Sequence, residues 1–408
     1  MGFLDDIKSR ILIYDGSKGY MLHLAGLPAG GSPEEFILSH PDTVFNIHLA
    51  YVEAGCDVIQ TNTFTGNRIL LEKHGLGEFV YEINYNGAAL AKKAAAGKAY
   101  TTASVGPTGV MFSPFGTLDY EEAFDIFKEQ VKALVDGGVD LINFETFTDI
   151  SEMRAALAAA RSITDIPVIC SMAFEQNKRT LMGTDPLTCV RILLAAGADM
   201  AGANCSFGPG HMIEIVKEMA VAGSFLSVKP NAGLPASVDG MTVYGQCAAD
   251  FAAEAAGYGE YNVRLVGGCC GTTPEYIDEI KRKMVLKPYI GPVDQGKYIC
   301  SVEKSVLVHG EIKIGLFIIG DGLSADAAMD GIYDMVYDDY EALELEYNGS
   351  NEDFLAEIIR RTRGMLKLPL IFSGKNNRAV ENALRIYPGI AGVRQKPEAR
   401  HGYVLLDG

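Results

Sequence analysis

Short apolar runs alternate with longer amphipathic segments along the first 270 residues of the chain. Eight of these runs are rich in β-branched and other apolar residues, and most end in Gly, Asn, Asp, Ser or Thr. They span residues 11–16, 56–64, 99–107, 139–147, 167–175, 200–208, 225–233 and 263–270. Their nearly continuous apolar character is typical of parallel strands that are buried on both faces.

The segments between these runs have helical spacing. In residues 121–138, one stripe contains Phe124, Phe127, Val131 and Leu134, and Gly137 is a typical helix stop. Residues 151–163 show the same pattern. Eight strand–helix units in about 280 residues predict an α/β fold, a (β/α)8 TIM barrel. A doubly wound open sheet is the alternative, but no G-x-G-x-x-G motif follows the first run.

The pattern changes after the eighth unit. Residues 286–300 contain two prolines and two glycines, which indicates a linker. Further strand-like runs follow at residues 312–322, 341–348, 368–374 and 390–394, with helical segments between them. We therefore expect a barrel over residues 1–285, a linker over 286–300, and a small, incomplete, half-barrel-like α/β domain over 301–408.

Composition and charge exclude several classes of function. The chain has 408 residues and a formal net charge of -17, which argues against binding to nucleic acid or to an anionic membrane. The N-terminus has no apolar signal region, and no stretch reaches the length needed for a membrane span. Eight cysteines scattered over a chain of this length are typical of a reducing compartment, so we expect a cytoplasmic protein.

Three cysteines stand at predicted strand ends. Cys205 ends the sixth run, and Cys269 and Cys270 end the eighth. In a barrel of this kind, functional groups gather at the carboxyl ends of the strands, so these thiols should lie near one another. Neighbouring strand residues point to opposite faces, and both cysteines can serve one site only if the strand has just ended. The glycines that allow such a break are Gly267, Gly268 and Gly271.

Three thiolates suit zinc and leave its fourth tetrahedral position open. A dication with three thiolates carries a net negative charge, so the site is a poor activator of water but still favours an incoming thiolate. This pattern indicates a thiol substrate and alkyl transfer to sulfur. The alternatives are buried apolar cysteines or a vicinal disulfide at Cys269–Cys270. The remaining cysteines are interpreted as core residues, with one incidental in the linker: Cys56, Cys170, Cys189 and Cys247 as core, and Cys300 in the linker.

Several motifs resemble the homocysteine S-methyltransferase family, in that family's order. They read YDGSKGYML (14–22), CDVIQTNTFTGN (56–67), SVGPTG (104–109), FETFTD (144–149), GANCSFGP (202–209) and GGCCGTTP (267–274). The resemblance covers residues 8 to 285 and is greatest to the homocysteine-binding module of cobalamin-dependent methionine synthase. It implies a zinc-dependent methyltransferase that moves a methyl group to the thiol of L-homocysteine and so forms methionine.

The resemblance also implies roles for individual residues. Cys205, Cys269 and Cys270 would bind the zinc and act in catalysis through it. Glu145 would help hold the ammonium group of the amino acid with Asp15 nearby, and Asn204 would help orient the substrate. A structural ion pair at Glu145, and turn-shaping roles for Asp15 and Asn204, are the alternatives. The first motif departs from the family pattern, because Lys18 and Tyr20 replace Met and Thr at the barrel mouth.

The C-terminal region resembles part of a pterin-binding barrel, especially over residues 368–389. At least half of such a barrel is absent, and Asp321 and Asn348 are the candidate remnants of its pterin site, so we expect weak folate binding. Twelve acidic residues and no Lys or Arg lie between Asp321 and Glu357, and ten basic residues follow between Arg360 and Arg400. This pattern is typical of solvated helix faces, and it also fits a docking surface or a homo-oligomer contact.

The sequence contains no motif that identifies the methyl donor. No D-x-H-x-x-G cobalamin signature is present. We expect a methylcorrinoid carried by a separate protein, with S-methylmethionine or betaine as alternative donors. A different thiol acceptor, or a non-catalytic subunit that binds a thiol or serves assembly, is the further alternative.

Overall fold

The computed structural model of the chain describes residues 2–238, 241–308, 312–398 and 402–406. Its strands are β1 Leu12–Ile13, β2 Val58–Gln60, β3 Tyr100–Val105, β4 Leu141–Phe147, β5 Val168–Met172, β6 Met200–Cys205, β7 Leu226–Pro230, β8 Pro235–Val238, β9 Met241–Tyr244, β10 Val263–Val266, β11 Tyr298–Cys300, β12 Ser305–Leu307, β13 Ile314–Ile319, β14 Ala342–Tyr347, β15 Leu370–Gly374, β16 Ala391–Val393 and β17 Tyr403–Leu405.

The α-helices are α1 Phe3–Ser9, α2 Lys18–Leu24, α3 Glu35–Ser39, α4 Pro41–Glu53, α5 Arg68–Glu72, α6 Val80–Ala95, α7 Tyr120–Asp136, α8 Ile150–Arg161, α9 Pro186–Ala195, α10 Pro209–Ala220, α11 Ala248–Ala255, α12 Pro274–Lys283, α13 Ala325–Val336, α14 Phe354–Thr362 and α15 Asn377–Ile386. Within the described residues, none of the helices is both long and apolar enough to cross a membrane.

The eight strands predicted in the first part of the chain form one parallel barrel. Their order in the sheet is β1-β10-β7-β6-β5-β4-β3-β2, so each strand pairs with its neighbours in the barrel. A parallel bridge between Tyr14 and Val58 joins the two remaining edges, and the Asp15 amide donates to the Val58 carbonyl. This closure confirms the TIM barrel and excludes the doubly wound open sheet.

The predicted helices follow from their caps and apolar stripes. The Asp119 side chain accepts a hydrogen bond from the Glu122 amide and begins α7, and Gly137 is its C-cap. Phe127, Val131 and Leu134 are fully buried against the barrel. Packing of this stripe, rather than helix propensity alone, stabilises the helix.

The barrel interior has an apolar lower layer and a polar upper layer. Helix α1 inserts Phe3 and Ile7 beneath strand residues such as Leu12, Leu141 and Leu265, and together they form one buried cluster at the amino-terminal end. Polar side chains occupy the carboxyl-terminal half of the interior. The lower layer therefore provides a rigid floor for a site at the opposite end.

The C-terminal region forms a smaller α/β domain. Its five strands are all parallel, in the order β13-β14-β15-β16-β17, and within the described residues this sheet stays open. The exposed fractions of Leu316 and Ile318 on the edge strand β13 are 49% and 59%. Asp321 accepts two hydrogen bonds from Ser350. Arg400, the last residue of the basic run, lies outside the described residues.

Buried contacts join the two domains. The Arg154 guanidinium of α8 donates to the carbonyls of Tyr387 and Gly389, and Arg154 is 8% exposed. The Arg363 side chain donates to the Ser151 hydroxyl at 3.2 Å. The second domain therefore packs on the barrel through helix α8 and the segment after α15.

Candidate active site

Three thiols meet at the carboxyl end of the barrel. The Sγ atoms of Cys205, Cys269 and Cys270 all lie within 4.8 Å of one another. The Cys205 and Cys270 sulfurs are 4.0 Å apart. A tetrahedral zinc site with bonds of about 2.3 Å requires sulfur separations of about 3.8 Å. The trio therefore fits zinc after shifts of less than about 1 Å, and the structure brings together the three residues predicted as ligands.

The backbone turns sharply at each cysteine. Cys205 and Ser206 have φ values of 61° and 62°, so the chain leaves β6 through a left-handed turn. The Phe207 amide closes this turn on the Cys205 carbonyl at 2.7 Å. On the other side, the Cys269 amide donates to the Pro230 carbonyl at 2.7 Å and the Cys270 amide to Asn231 Oδ1 at 3.1 Å. These bonds fix both cysteines after β10 has ended.

The glycines around Cys269–Cys270 act in two different ways. Gly271 has a φ of +78°, in the left-handed region that glycine adopts without strain. Gly267 and Gly268 allow close approach instead, since an added Cβ would lie 2.3 Å from Tyr14 Cβ and 2.2 Å from Thr272 Oγ1. The predicted break in the strand is present, and its cause is both conformational and steric.

The three thiols cannot easily become thiolates together without a cation. Contact with the Cys205 sulfur, together with burial, raises the pKa of the Cys269 thiol far above its ordinary value. A metal dication at the centre of the trio would remove this penalty. Cys269 and Cys270 are free thiols rather than a vicinal disulfide.

The other cysteines lie apart from this cluster. The prediction of core positions is confirmed for Cys56, Cys170 and Cys189, which are buried. It is wrong for Cys247, which is exposed because it is the N-cap residue of α11 at the barrel surface. Cys300 is buried in β11, where its sulfur lies 3.2 Å from the Ser305 hydroxyl.

A cavity of about 330 Å³ opens beside the three sulfurs. Its wall contains the cysteines together with polar and charged groups from the ends of several barrel strands. The charged members are Lys18, Glu34, Glu145 and Lys229. The cavity is therefore large enough for a small thiol and has charged groups that could hold its other end.

Glu145 lies at the centre of a buried hydrogen-bond network. Its Oε1 accepts from the Gln60 amide group and the Ser104 hydroxyl, each at 2.5 Å. Its Oε2 accepts from Lys229 Nζ. The Glu145 and Lys229 side chains are 6% and 3% exposed, so this is a desolvated ion pair that also faces the cavity.

Asp15 lies beneath Lys18. Its Oδ2 accepts from Lys18 Nζ and, at 2.7 Å, from the Gln60 amide of the backbone. The Asp15 side chain is 0% exposed, whereas Lys18 reaches the cavity wall. Burial raises the pKa of the Asp15 carboxyl, and the Lys18 charge opposes that shift. The lysine that departs from the family pattern therefore covers the aspartate.

Asn204 lies between the acidic and the sulfur parts of the site. Its Oδ1 accepts from the Thr146 amide at 2.7 Å, and its Nδ2 donates to the Thr146 hydroxyl at 2.8 Å. The same Nδ2 lies 3.8 Å from Cys269 Sγ. Asn204 is fully buried, so it holds its neighbours rather than forming part of the cavity surface.

Further residues that were not predicted from the sequence belong to the site. They include Glu34, Gln60, Ser104, Lys229 and Tyr244. The sequence could have indicated Lys229 as a site residue, because a lysine within the apolar run 225–233 is unusual for a buried strand. Burial, and then the nearby Cys270 sulfur, raise the pKa of the Tyr244 hydroxyl above its ordinary value. The hairpin of β8 and β9 brings Tyr244 to the cysteines, and the Asp-Gly pair at 239–240 was the overlooked sequence signal.

Comparison with known proteins agrees with this geometry. The family model for homocysteine S-methyltransferase matches residues 12–284. Methionine synthase of Mycobacterium leprae is 29% identical over 362 residues, which cover 83% of this chain and 30% of that protein. Methionine synthase of Mycobacterium tuberculosis is 32% identical over 296 residues, covering 68% of this chain and 25% of that protein. The chain therefore spans less than a third of the length of these relatives.

A solved structure shows the same fold. The homocysteine methyltransferase MmuM of Escherichia coli, in its metallated form, superposes with a TM-score of 0.58 at 23% identity. The match covers 67% of this chain and 96% of MmuM. Because the family model covers the whole barrel with all three cysteines, the chain belongs to the homocysteine S-methyltransferase family.

Proposed function

We propose that this protein is a zinc-dependent methyltransferase that transfers a methyl group to the thiol of L-homocysteine and so forms methionine. The observation that carries this proposal is the trio of sulfurs within 4.8 Å of one another on the wall of a cavity of about 330 Å³. Three protein ligands on zinc leave one position for an incoming thiol. Family membership supports the acceptor.

Cys205, Cys269 and Cys270 would hold the zinc. The ion, when bound, supplies an open coordination position and favours the thiolate form of the acceptor. Asn204 supports this arrangement, because its Nδ2 lies 3.8 Å from Cys269 Sγ and orients a metal-binding sulfur. Tyr244 covers the Cys270 side, since an added Cβ on neighbouring Gly271 would lie 2.4 Å from its ring.

Of the three residues proposed for the acceptor subsite, one can contact the acceptor directly and two would act through their neighbours. Glu145 lies on the cavity wall and can contact the bound amino acid directly. Asp15 and Asn204 are fully buried, so they would act by holding Lys18 and Thr146, which do line the cavity. In the methyl transfer itself, a new bond forms between the acceptor sulfur and the methyl carbon as the donor's bond to that carbon breaks, and the donor keeps the electron pair.

The proposed donor is a methylcorrinoid carried by a separate protein. Large apolar side chains are exposed on segments that follow barrel strands, at the same carboxyl-terminal end of the barrel as the cavity. These are Leu24, Phe64, Met111, Phe115, Leu181 and Leu234. Exposed apolar side chains gathered at one end of a domain are typical of a protein-docking surface. We place the protein in the cytoplasm, because the three thiols must stay reduced to bind zinc.

X-ray absorption at the zinc edge tests the proposal directly. We expect one zinc per chain with three sulfur neighbours, and a fourth sulfur after L-homocysteine is added. Cys205→Ser, Cys269→Ser and Cys270→Ser should each lose zinc, whereas Cys247→Ser should retain it, because Cys247 is exposed and lies outside the cluster. Absence of zinc from freshly reduced protein, or a zinc site that ignores homocysteine, would contradict the proposal.

Donor identity needs a second assay. Zinc-loaded protein and L-homocysteine are mixed with methylcobalamin, S-methylmethionine or betaine, and methionine is measured. We expect methionine from methylcobalamin alone. Homocysteine binding without methionine from any of the three donors would favour a non-catalytic thiol-binding subunit.

A further inference from the structure

Both carboxylates that were expected to lie near the ammonium group of the acceptor are already paired with lysines. Lys18 Nζ donates to Asp15, and Lys229 Nζ donates to Glu145. The two aspartate and glutamate side chains are 0% and 6% exposed. An incoming ammonium would have to displace a lysine from its partner and leave that lysine buried without a counter-charge, which is strongly unfavourable.

The two lysine ammonium groups, in contrast, can each donate a further hydrogen bond to a ligand. Lys18 Nζ uses one N–H on Asp15 and one on the Gly16 carbonyl at 3.3 Å. Lys229 Nζ uses one on Gln60 Oε1 and one on Glu145. A lysine ammonium has three N–H donors, so each retains one after these contacts.

Position favours the same conclusion. Lys18 lines the cavity that the three cysteines line and its partner Asp15 does not, whereas Lys229 and its partner Glu145 both line it. An aromatic ring lies close to each ammonium group, with Lys18 Nζ 4.9 Å from the Tyr51 ring centroid and Lys229 Nζ 4.8 Å from that of Tyr14. The cavity therefore presents two positively charged donors beside the thiol-binding end.

We propose that the acceptor is held by an anionic end group on Lys18 and Lys229, so that the site selects thiols with a carboxylate tail. The ammonium group of an amino-acid acceptor then adds little to binding. This inference rests on the proposed function and specifies the substrate class of the same site. It makes Lys18 a specificity-determining residue, through the same substitution by which the first motif departs from the family pattern.

A matched series of four thiols tests the inference. L-Homocysteine carries both charges, 4-mercaptobutyrate lacks the ammonium, 3-mercaptopropylamine lacks the carboxylate, and 1-propanethiol lacks both. Calorimetric titration of the zinc-loaded protein gives each Kd. We expect 4-mercaptobutyrate to bind within about threefold of L-homocysteine, and 3-mercaptopropylamine to bind roughly tenfold to hundredfold more weakly, because it loses charge-assisted hydrogen bonds.

Substitution of Lys18 should alter this order. In Lys18→Met the Asp15 carboxylate loses its cover, so binding of 4-mercaptobutyrate should weaken about tenfold or more while 3-mercaptopropylamine gains relative to it. Lys18→Arg keeps the charge and should keep the carboxylate preference, which guards against a simple folding defect in the methionine variant. Lys92→Met is the control, because Lys92 pairs with Asp140 on the exposed surface.

The outcomes separate the two proposals. A wild-type site that binds 3-mercaptopropylamine as tightly as 4-mercaptobutyrate overturns the inference alone, and so does a Lys18→Met variant that weakens both thiols equally. A zinc-loaded protein that binds none of the four thiols overturns the proposed function and this inference with it.

Discussion

Asn204 holds Thr146 in a left-handed backbone conformation by two hydrogen bonds, of 2.7 and 2.8 Å. The φ of Thr146 is 64°, a value that a β-branched residue rarely adopts. Thr146 directly follows Glu145 and lines the cavity, at the point between Phe144 and Phe147 where the pairing of β4 with β5 is irregular. Strain of this kind persists only where surrounding contacts enforce it.

Asn204→Ala should therefore destabilise the protein. The variant loses both hydrogen bonds and leaves Thr146 strained, so we expect a decrease of about 2 kcal/mol in the free energy of unfolding. Urea denaturation followed by circular dichroism measures it. Adding Thr146→Gly should recover about 1 kcal/mol, because glycine adopts this φ without strain. Failure of the glycine to recover any stability would show that Asn204 acts through other contacts.

The burial of Glu152 predicts a pH dependence of stability. Burial raises the pKa of its carboxyl from the ordinary 4.5 to about 7, although hydrogen bonds from the Thr108 hydroxyl and amide, each 2.7 Å, oppose the shift. Because the folded state binds the proton more tightly, this group's contribution is fully present below pH 4.5. It is lost as the pH rises through about 7.

Glu152→Gln removes this titration and keeps an acceptor for Thr108. The free energy of unfolding of the wild type, relative to Glu152→Gln, should therefore fall by up to about 3 kcal/mol between pH 5 and pH 8. Urea denaturation of both proteins at several pH values gives this difference. A difference that stays constant with pH, or that rises, would show that Glu152 is ionised in the folded protein throughout this range.

The barrel could be predicted from the sequence because the pattern that marks each strand is local and occurs eight times. Each strand is a short apolar run that ends in a polar or small residue, and the cysteines stand at the ends of two such runs. Cys205, Cys269 and Cys270 could be grouped because the fold brings all carboxyl ends of the strands together.

The pairing of lysines with buried carboxylates could not be predicted in this way. Lys229 meets Glu145 across 84 residues and Gln60 across 169 residues, and these pairs depend on which way single side chains point inside the barrel. Sequence spacing fixes which strands are neighbours but not which buried charge pairs with which. The second domain was harder still, since the short strands β11, β12 and β17 have only three residues each and leave little periodic signal.

Arg154 should contribute more to the contact between the domains than Arg385 does. Arg154 is buried and donates to three backbone carbonyls of the second domain. Arg385 instead forms a 2.7 Å ion pair with Glu121, and the two side chains are 50% and 49% exposed. Arg154→Ala should cost about 2 to 3 kcal/mol of unfolding free energy, and Arg385→Ala less than about 1 kcal/mol. Denaturation curves measure both. Equal costs would show that the buried contact is not the stronger link.

Limited proteolysis shows which part of the chain each substitution destabilises. If Arg154 joins the domains, its alanine variant should be cleaved faster within residues 284–297, between α12 and β11, while Arg385→Ala should resemble the wild type. Uniform acceleration along the barrel would instead indicate general destabilisation.

Gly271 should strengthen zinc binding, because of its backbone conformation and its contact with Tyr244. Its φ is +78°, and an added Cβ would lie 2.4 Å from Tyr244 Cγ. Gly271→Ala should therefore displace Cys270 or Tyr244 and weaken zinc binding by roughly tenfold or more, since ligand geometry sets metal affinity.

Gly97→Ala is the matched control, because Gly97 has a φ of +75° with no atom within 4 Å of an added Cβ. Zinc competition with a chromophoric chelator measures both affinities. If Tyr244→Ala restores zinc binding to the Gly271→Ala protein, the steric contact is the main cause. If it does not, the left-handed turn itself places Cys270 on the metal.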